Sequence, residues 1–164
     1  MGDDPSFEEF VAGRGTALLR TAVLLSGGSR HDAEDVVQTA LEKAYRHWSR
    51  IEGDPEPYVR RILVNVTISR ARRRRIRQEV NVERVPEVGV PAAADGLALR
   101  DVLIRELHRL PARQRAVLVL RYWDDLTEAR IAEAMGCSVG TVKSQAAKAL
   151  ARLRAHRIRE EITR

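Results

Sequence analysis

Five polar side chains, Thr141, Lys143, Ser144, Gln145 and Lys148, crowd into one short stretch towards the end of this 164-residue chain. At helical spacing Thr141, Ser144, Gln145 and Lys148 share one side, and Val139, Val142, Ala146, Ala149, Leu150 and Leu153 share the other. A polar, cationic and modestly bulky face can donate to and accept from base edges in a major groove, with lysines left for phosphate. A second basic feature lies upstream. Between Tyr58 and Gln78 there are eight arginines and no acid: Arg60, Arg61, Arg70, Arg72, Arg73, Arg74, Arg75 and Arg77. The planar guanidinium fork suits phosphate oxygens, and unbalanced like charges repel one another until a polyanion neutralises them. Asn65 lies within this run, where it is either a partner for a base edge or a buried amide satisfied by a neighbouring helix.

A third group has the opposite sign. Asp32, Glu34 and Asp35, with Gln38, open a helical pattern. Acids in a first turn complement the helix dipole, which explains them without any partner; a protein-docking face explains them equally well. The remaining chemistry-bearing residues form no site. His31, His47, His108 and His156 are scattered without metal-ligand spacing. There is no phosphate-cradling glycine loop and no nucleophile–base signature, so an enzyme is not expected and neither a metal nor a cofactor is.

These groups need helices to hold them. Hydrophobic residues make up 44% of the chain, aromatic residues only 4% and charged residues 32%, enough for a folded all-helical core. The net charge of +6 favours a polyanionic partner. The single Cys137 excludes an internal disulfide and fits a reducing compartment. No apolar run approaches a membrane span and no secretory leader is evident, so the expected location is the cytoplasm, off the membrane.

In chain order, Ser6 caps a helix from Phe7 to about Leu25, which Ser26-Gly27-Gly28-Ser29 ends. A helix from Asp32 to about Trp48 buries Val36, Val37, Ala40, Leu41, Ala44, Tyr45 and Trp48. The turn-rich Ile51–Pro57 leads to a long helix from Tyr58 to about Gln78. Residues 79–96 lose helical periodicity, hold two prolines and two glycines, and read as a flexible linker. A second helical domain follows. Leu99, Val102, Leu103, Leu107 and Leu110 mark the buried stripe of its first helix, and Pro111 starts another. Arg113, Arg115 and Arg121 read as cationic surface. Leu126–Arg154 then reads as two helices about a tight turn. Thr127 is an N-cap, Ile131, Ala132 and Met135 are the buried positions, Gly136 is the left-handed C′ residue, and Ser138 caps the second helix. That layout serves a helix-turn-helix or an ordinary helical hairpin.

Two signatures in order, DAEDVVQTALEKAYRHW with PYVRRILVNVTISRARRR, then LHRLPARQRAVLVLRYWDDLTEARIAEAMGCSVGTVKSQAAKAL, resemble domains 2 and 4 of a bacterial extracytoplasmic-function sigma factor, the minimal class of the sigma-70 family. The arginine run is similar to that of an actinobacterial, sigma-E-like group. The resemblance covers nearly the whole chain. It implies an all-α protein with domain 2 over residues 1–78, a linker over 79–96 and domain 4 over 97–164. It implies that Asp32, Glu34, Asp35 and Gln38 dock on the clamp helices of the largest subunit of core RNA polymerase, with domain 4 on the flap of the second-largest subunit. Asp54, Tyr58, Arg60, Arg61, Asn65, Arg72, Arg73 and Arg74 would open and read the −10 element on the non-template strand, by stacking, edge hydrogen bonds and backbone tracking. Thr141, Lys143, Ser144, Gln145 and Lys148 would read the −35 duplex. An anti-sigma factor is a further implied partner.

The chain departs from the family at three places. Tyr58 stands where tryptophan is usual, Arg130 where an acid is usual, and Gln145 and Lys148 where arginines are usual. The competing reading is a stand-alone helix-turn-helix regulator, which leaves the acidic helix and the proline-rich loop without a role.

Overall fold

A computed structural model describes residues 4–80 and 95–163, and every regular element among them is helical. In order these are α1 (Pro5–Leu25), α2 (Arg30–Tyr45), a 3₁₀ turn (Trp48–Arg50), α3 (Glu56–Val80), α4 (Asp95–His108), α5 (Ala112–Leu118), a π turn (Val119–Trp123), α6 (Glu128–Met135) and α7 (Val139–Thr163). Most of the expected 79–96 linker lies outside the described residues. Its edges are helical, since α3 runs on to Val80 and α4 begins at Asp95.

The helix starts differ from expectation, and the caps show why. Asp4, not Ser6, caps α1: its carboxylate accepts the Ser6 N–H at 3.0 Å, and Pro5 takes the first helical position, where a missing N–H costs nothing. Ser29 caps α2 by accepting from the Asp32 N–H at 3.3 Å, so the helix opens at Arg30 rather than Asp32. Asp54 accepts the Glu56 N–H at 3.0 Å, so α3 starts two residues before Tyr58. The second helix also stops short of Trp48. That indole instead donates from Nε1 to the Ser6 hydroxyl at 2.8 Å and meets Phe7 edge-on, with centroids 5.1 Å apart. The aromatic cluster ties the start of α1 to the end of α2 and thereby fixes where the 51–57 loop leaves.

Leu18, Ala22, Leu25, Val36, Ala40, Val59 and Leu63 fill the space between α1, α2 and α3. Val117, Leu120, Ile131, Val142 and Ala149 do the same between α5, the π turn, α6 and α7. Each fully buried leucine or isoleucine contributes about 2–3 kcal/mol by leaving water. The two cores join across α3, which packs on both α5 and α6.

Two expectations fail. Leu107 and Leu110 are buried, but Leu99 is 74% exposed, with Val102 and Leu103 also exposed, because the first turns of α4 project beyond the core. Arg115 is not surface. Its guanidinium donates to the carbonyls of Leu107 (2.8 Å), Leu110 (3.0 Å), His108 (3.3 Å) and Leu25 (2.9 Å), so it caps the carboxyl ends of α4 and α1 together. Burial pulls its pKa down to about 10, which leaves it cationic at neutral pH.

Candidate nucleic-acid interface

The α6–α7 pair is built as its sequence requires. The Thr127 hydroxyl accepts the Arg130 N–H at 3.3 Å, and the Ser138 hydroxyl accepts the Thr141 N–H at 3.1 Å. Gly136 between them has φ of 63°, the left-handed conformation that closes the turn. Val142, Ala146 and Ala149 point into the core, while Lys143, Ser144 and Lys148 are exposed and Thr141 and Gln145 half-buried. Five side chains of the expected face therefore lie on the first three turns of one helix, where a groove is read. Thr141 also shares a 3.0 Å hydroxyl contact with Ser138, and Lys143 Nζ lies 3.7 Å from Glu128, itself paired to Arg121 at 2.8 Å. Those bonds stiffen the start of the helix. With Arg130 at the third helical position, no carboxylate returns a bond to the Thr127 N–H, and Arg130 instead lies 3.8 Å from Glu133.

The basic helix α3 divides into two groups. Asn65, Arg61, Arg72 and Arg73 are exposed, which rules out the buried-amide reading of Asn65. Arg60, Arg70 and Arg74 are already balanced, the last two because α2 lies alongside. Arg74 meets Asp32 at 2.7 Å, Arg70 approaches Asp35 at 3.9 Å and donates to the Thr39 hydroxyl at 2.9 Å, and Arg60 meets Glu56 at 2.8 Å. The inference that eight arginines need an external polyanion is thus too strong. It treated α3 as though no acid faced it, whereas Asp32 and Asp35 face it from α2 and Glu56 lies in its own first turn.

The acidic face is correspondingly engaged. Glu34 pairs with Arg30 at 3.0 Å, His31 lies 3.6 Å from Asp35, and Gln38 donates to Glu42 at 3.3 Å. Exposed pairs of this kind are weak, about 0–1 kcal/mol each, so they leave the face free to exchange partners.

The 51–57 loop and the start of α3 line a cavity of about 510 Å³ that holds Arg50, Asp54, Tyr58, Arg60 and Arg61 on one wall. Its opposite wall is α6, through Leu126, Arg130, Glu133 and Ala134. Arg60 is mostly buried there. Its Nε lies 3.4 Å from Asp124, whose other carboxylate oxygen accepts the Thr21 hydroxyl at 2.8 Å. Burial raises the Asp124 pKa above its ordinary value, against the opposing pull of Thr21 and Arg60.

Comparison with known proteins adds the family. A model of sigma-70 region 2 matches residues 14–77, and one of sigma-70 region 4 matches residues 100–153. The RNA polymerase sigma-E factor of Streptomyces coelicolor is 40% identical over 94% of this chain and 87% of its own. The chain belongs to the sigma-70 family, as an extracytoplasmic-function sigma factor. The sigma factor SigM of Mycobacterium tuberculosis, of that same class, is 33% identical over 93% of this sigma factor and 77% of its own length. The sigma factor RpoE of Bartonella quintana, solved in complex with the anti-sigma factor NepR, superposes with a TM-score of 0.75 at 29% identity, covering 93% of this chain and 96% of that one. Among the described residues no helix is long and apolar enough to cross a membrane.

Sequence reasoning missed Thr21, Asp124 and Arg115. Thr21 and Asp124 are 103 residues apart, and no local pattern announces a bond over that span. Arg115 carried one signal, an arginine immediately before the apolar run Ala116 to Leu120.

Proposed function

We propose that this sigma factor binds core RNA polymerase and promoter DNA and initiates transcription, without catalytic chemistry of its own. In this reading residues 1–78 form domain 2 and 97–164 domain 4. Asp32, Glu34, Asp35 and Gln38 dock on the polymerase clamp helices. Asp54, Tyr58, Arg60, Arg61, Asn65, Arg72, Arg73 and Arg74 engage the −10 strand, with Tyr58 the stacking group beside the cavity. Thr141, Lys143, Ser144, Gln145 and Lys148 enter the −35 major groove, and domain 4 docks on the flap. The observation that carries the reading is one chain holding both a solvent-facing acidic α2 surface and a capped groove-reading helix. A stand-alone regulator needs only the second. The structural likeness to RpoE bound by NepR supports an anti-sigma factor as a further partner.

The test is co-elution with purified core RNA polymerase, then run-off transcription on sheared genomic DNA. The expected result is a stable complex that yields discrete transcripts, weakened when Asp35→Lys and Gln38→Lys reverse the docking face. Tight duplex binding by the chain alone, with no polymerase complex, would overturn it. Gln145→Arg should shift −35 preference towards guanine, since bidentate Gln selects adenine and Arg guanine; unchanged preference among the selected promoters would count against Gln145 as a reader.

A further inference from the structure

The histidines lack metal-ligand spacing among themselves, but His156 finds its partners in carboxylates. His156 and Glu160 stand one turn apart on α7, so both side chains lie on one side of that helix, and Glu106 meets them from α4. His156 Nδ1 lies 3.5 Å from Glu106 Oε2 and 3.8 Å from Glu160 Oε1, and one donor atom of each residue falls within 4.8 Å of the other two. Glu106 and His156 are mostly buried, whereas Glu160 is exposed. Glu106 Oε2 is itself buried, faces the imidazole and accepts no hydrogen bond. A buried carboxylate oxygen without a donor is costly.

The point between these groups already attracts a cation. Arg109, just past the end of α4, extends Nη1 into it, 3.0 Å from Glu106 Oε1 and 3.7 Å from Glu160 Oε1, and touches both His156 ring nitrogens. That guanidinium leaves Glu106 Oε2 unsatisfied, and its side chain is 44% exposed, so it can swing into solvent without crossing the core.

The spacing suits one class of ion. Donor atoms held about 2.0–2.1 Å from a tetrahedral ion stand about 3.3–3.4 Å from one another, close to the separations here. An imidazole nitrogen with two carboxylates selects a borderline transition ion over Mg²⁺ or Ca²⁺, whose shells are built from oxygen. The solvent side, beyond Glu160, leaves the fourth position to water. Arg152 and Arg159 line the same hollow of about 350 Å³ and oppose a divalent ion, which sets the expected affinity in the micromolar range rather than that of a closed thiolate site.

We propose that Glu106, His156 and Glu160 form a zinc-binding site that clamps the last turns of α7 to the end of α4, and that zinc replaces the Arg109 guanidinium there. None of these four residues is assigned to DNA or polymerase, so the site stands apart from the promoter-reading assignment.

The experiment titrates Zn²⁺ into the full chain, stripped beforehand with a chelator, and follows binding by calorimetry. The expected result is one ion per chain. His156→Ala and Glu106→Gln should each weaken binding about a hundredfold, the upper end of what losing even an outer partner costs. Cys137→Ser and His31→Ala should bind as the wild type does; they remove the chain's thiol and the histidine of the His31–Asp35 pair, which is also one turn apart. Arg109→Gln should bind about tenfold more tightly, because no guanidinium has to leave. Circular dichroism without zinc shows that each variant folds, and zinc should raise the melting temperature of the wild type but not of His156→Ala. Wild-type affinity weaker than about 100 μM, binding that survives in His156→Ala, or binding lost in Cys137→Ser or His31→Ala would each overturn the site. Unchanged or weaker binding in Arg109→Gln would overturn the exchange of guanidinium for metal.

Discussion

Replacing Arg115 by methionine keeps the aliphatic stem and removes every bond of the guanidinium. Three of its four carbonyl contacts are at 3.0 Å or less, to Leu107, Leu25 and Leu110. A hydrogen bond from a charged donor contributes about 1.5–3 kcal/mol; taken near the lower end of that range, the three amount to roughly 5–6 kcal/mol. Against this stands the cost of partial burial. The pKa drawn down to about 10 represents about 3 kcal/mol against the charged form. The bonds therefore win by roughly 2–3 kcal/mol, and the carbonyls left behind at two helix ends raise the loss to about 3 kcal/mol where water does not reach them. Urea unfolding followed by circular dichroism should show that loss as a lower midpoint at unchanged slope, and melting should fall by about 6–12 °C for a chain of this size. Arg115→Lys should recover no more than half, because an ammonium cannot span carbonyls from two helices. A change below about 1 kcal/mol in Arg115→Met, or full recovery by lysine, would refute this account.

Two further outcomes follow from the same junction of α1 and α4. Gly28→Ala should cost about 2 kcal/mol or more, from a strained φ of +93° and a Cβ driven into Ile104; adding Ile104→Ala should return only the steric part, and full rescue would show that backbone strain is negligible. His108 has its pKa lowered below 6.5 by burial and then by the charges of Arg115 and Arg74. Its neutral form is favoured in the fold, so its contribution is complete above about pH 6.5 and is lost as pH falls through the folded value. Asp124 works in the opposite sense, since its raised pKa favours the protonated form in the fold, but it acts at more acidic pH. Melting temperature measured downward from pH 7.5 should decline in the wild type and less in His108→Gln; parallel curves would exclude His108 as the origin.

Much of the fold could be read in one dimension because its signals are local. A hydroxyl at Thr127 or Ser138, a glycine at 136, and apolar steps of three and four each act within one or two helical turns. The residues proposed for the −35 groove likewise share one helix, so their common face follows from spacing alone. What could not be read is what crosses between helices. The arginines of α3 looked unbalanced because Asp32 and Asp35 are some forty positions away along the chain. Leu99, Val102 and Leu103 have the spacing of a buried stripe, yet periodicity says which side of a helix is apolar, not how far along it the core extends. Nothing in the local sequence around Asp124 points to Thr21 or Arg60, and only the fold supplies these partners.

The face proposed to read the −35 groove occupies one end of α7, and the far end of that same helix carries polar contacts. His156 lies 3.5 Å from Glu106 and 3.8 Å from Glu160, and Arg109 reaches His156, Glu106 and Glu160 from the end of α4. Fifteen residues of unbroken helix between Gln145 and Glu160 make a stiff lever about 22 Å long. A tilt of about five degrees at the mooring displaces Gln145 by about 2 Å, enough to carry a side chain from one base edge to the gap beside it. The buried Val142, Ala146 and Ala149 hold that lever along its length, and the polar knot, centred on His156 about three turns beyond Gln145, adds a weaker second anchor to the proposed reading face.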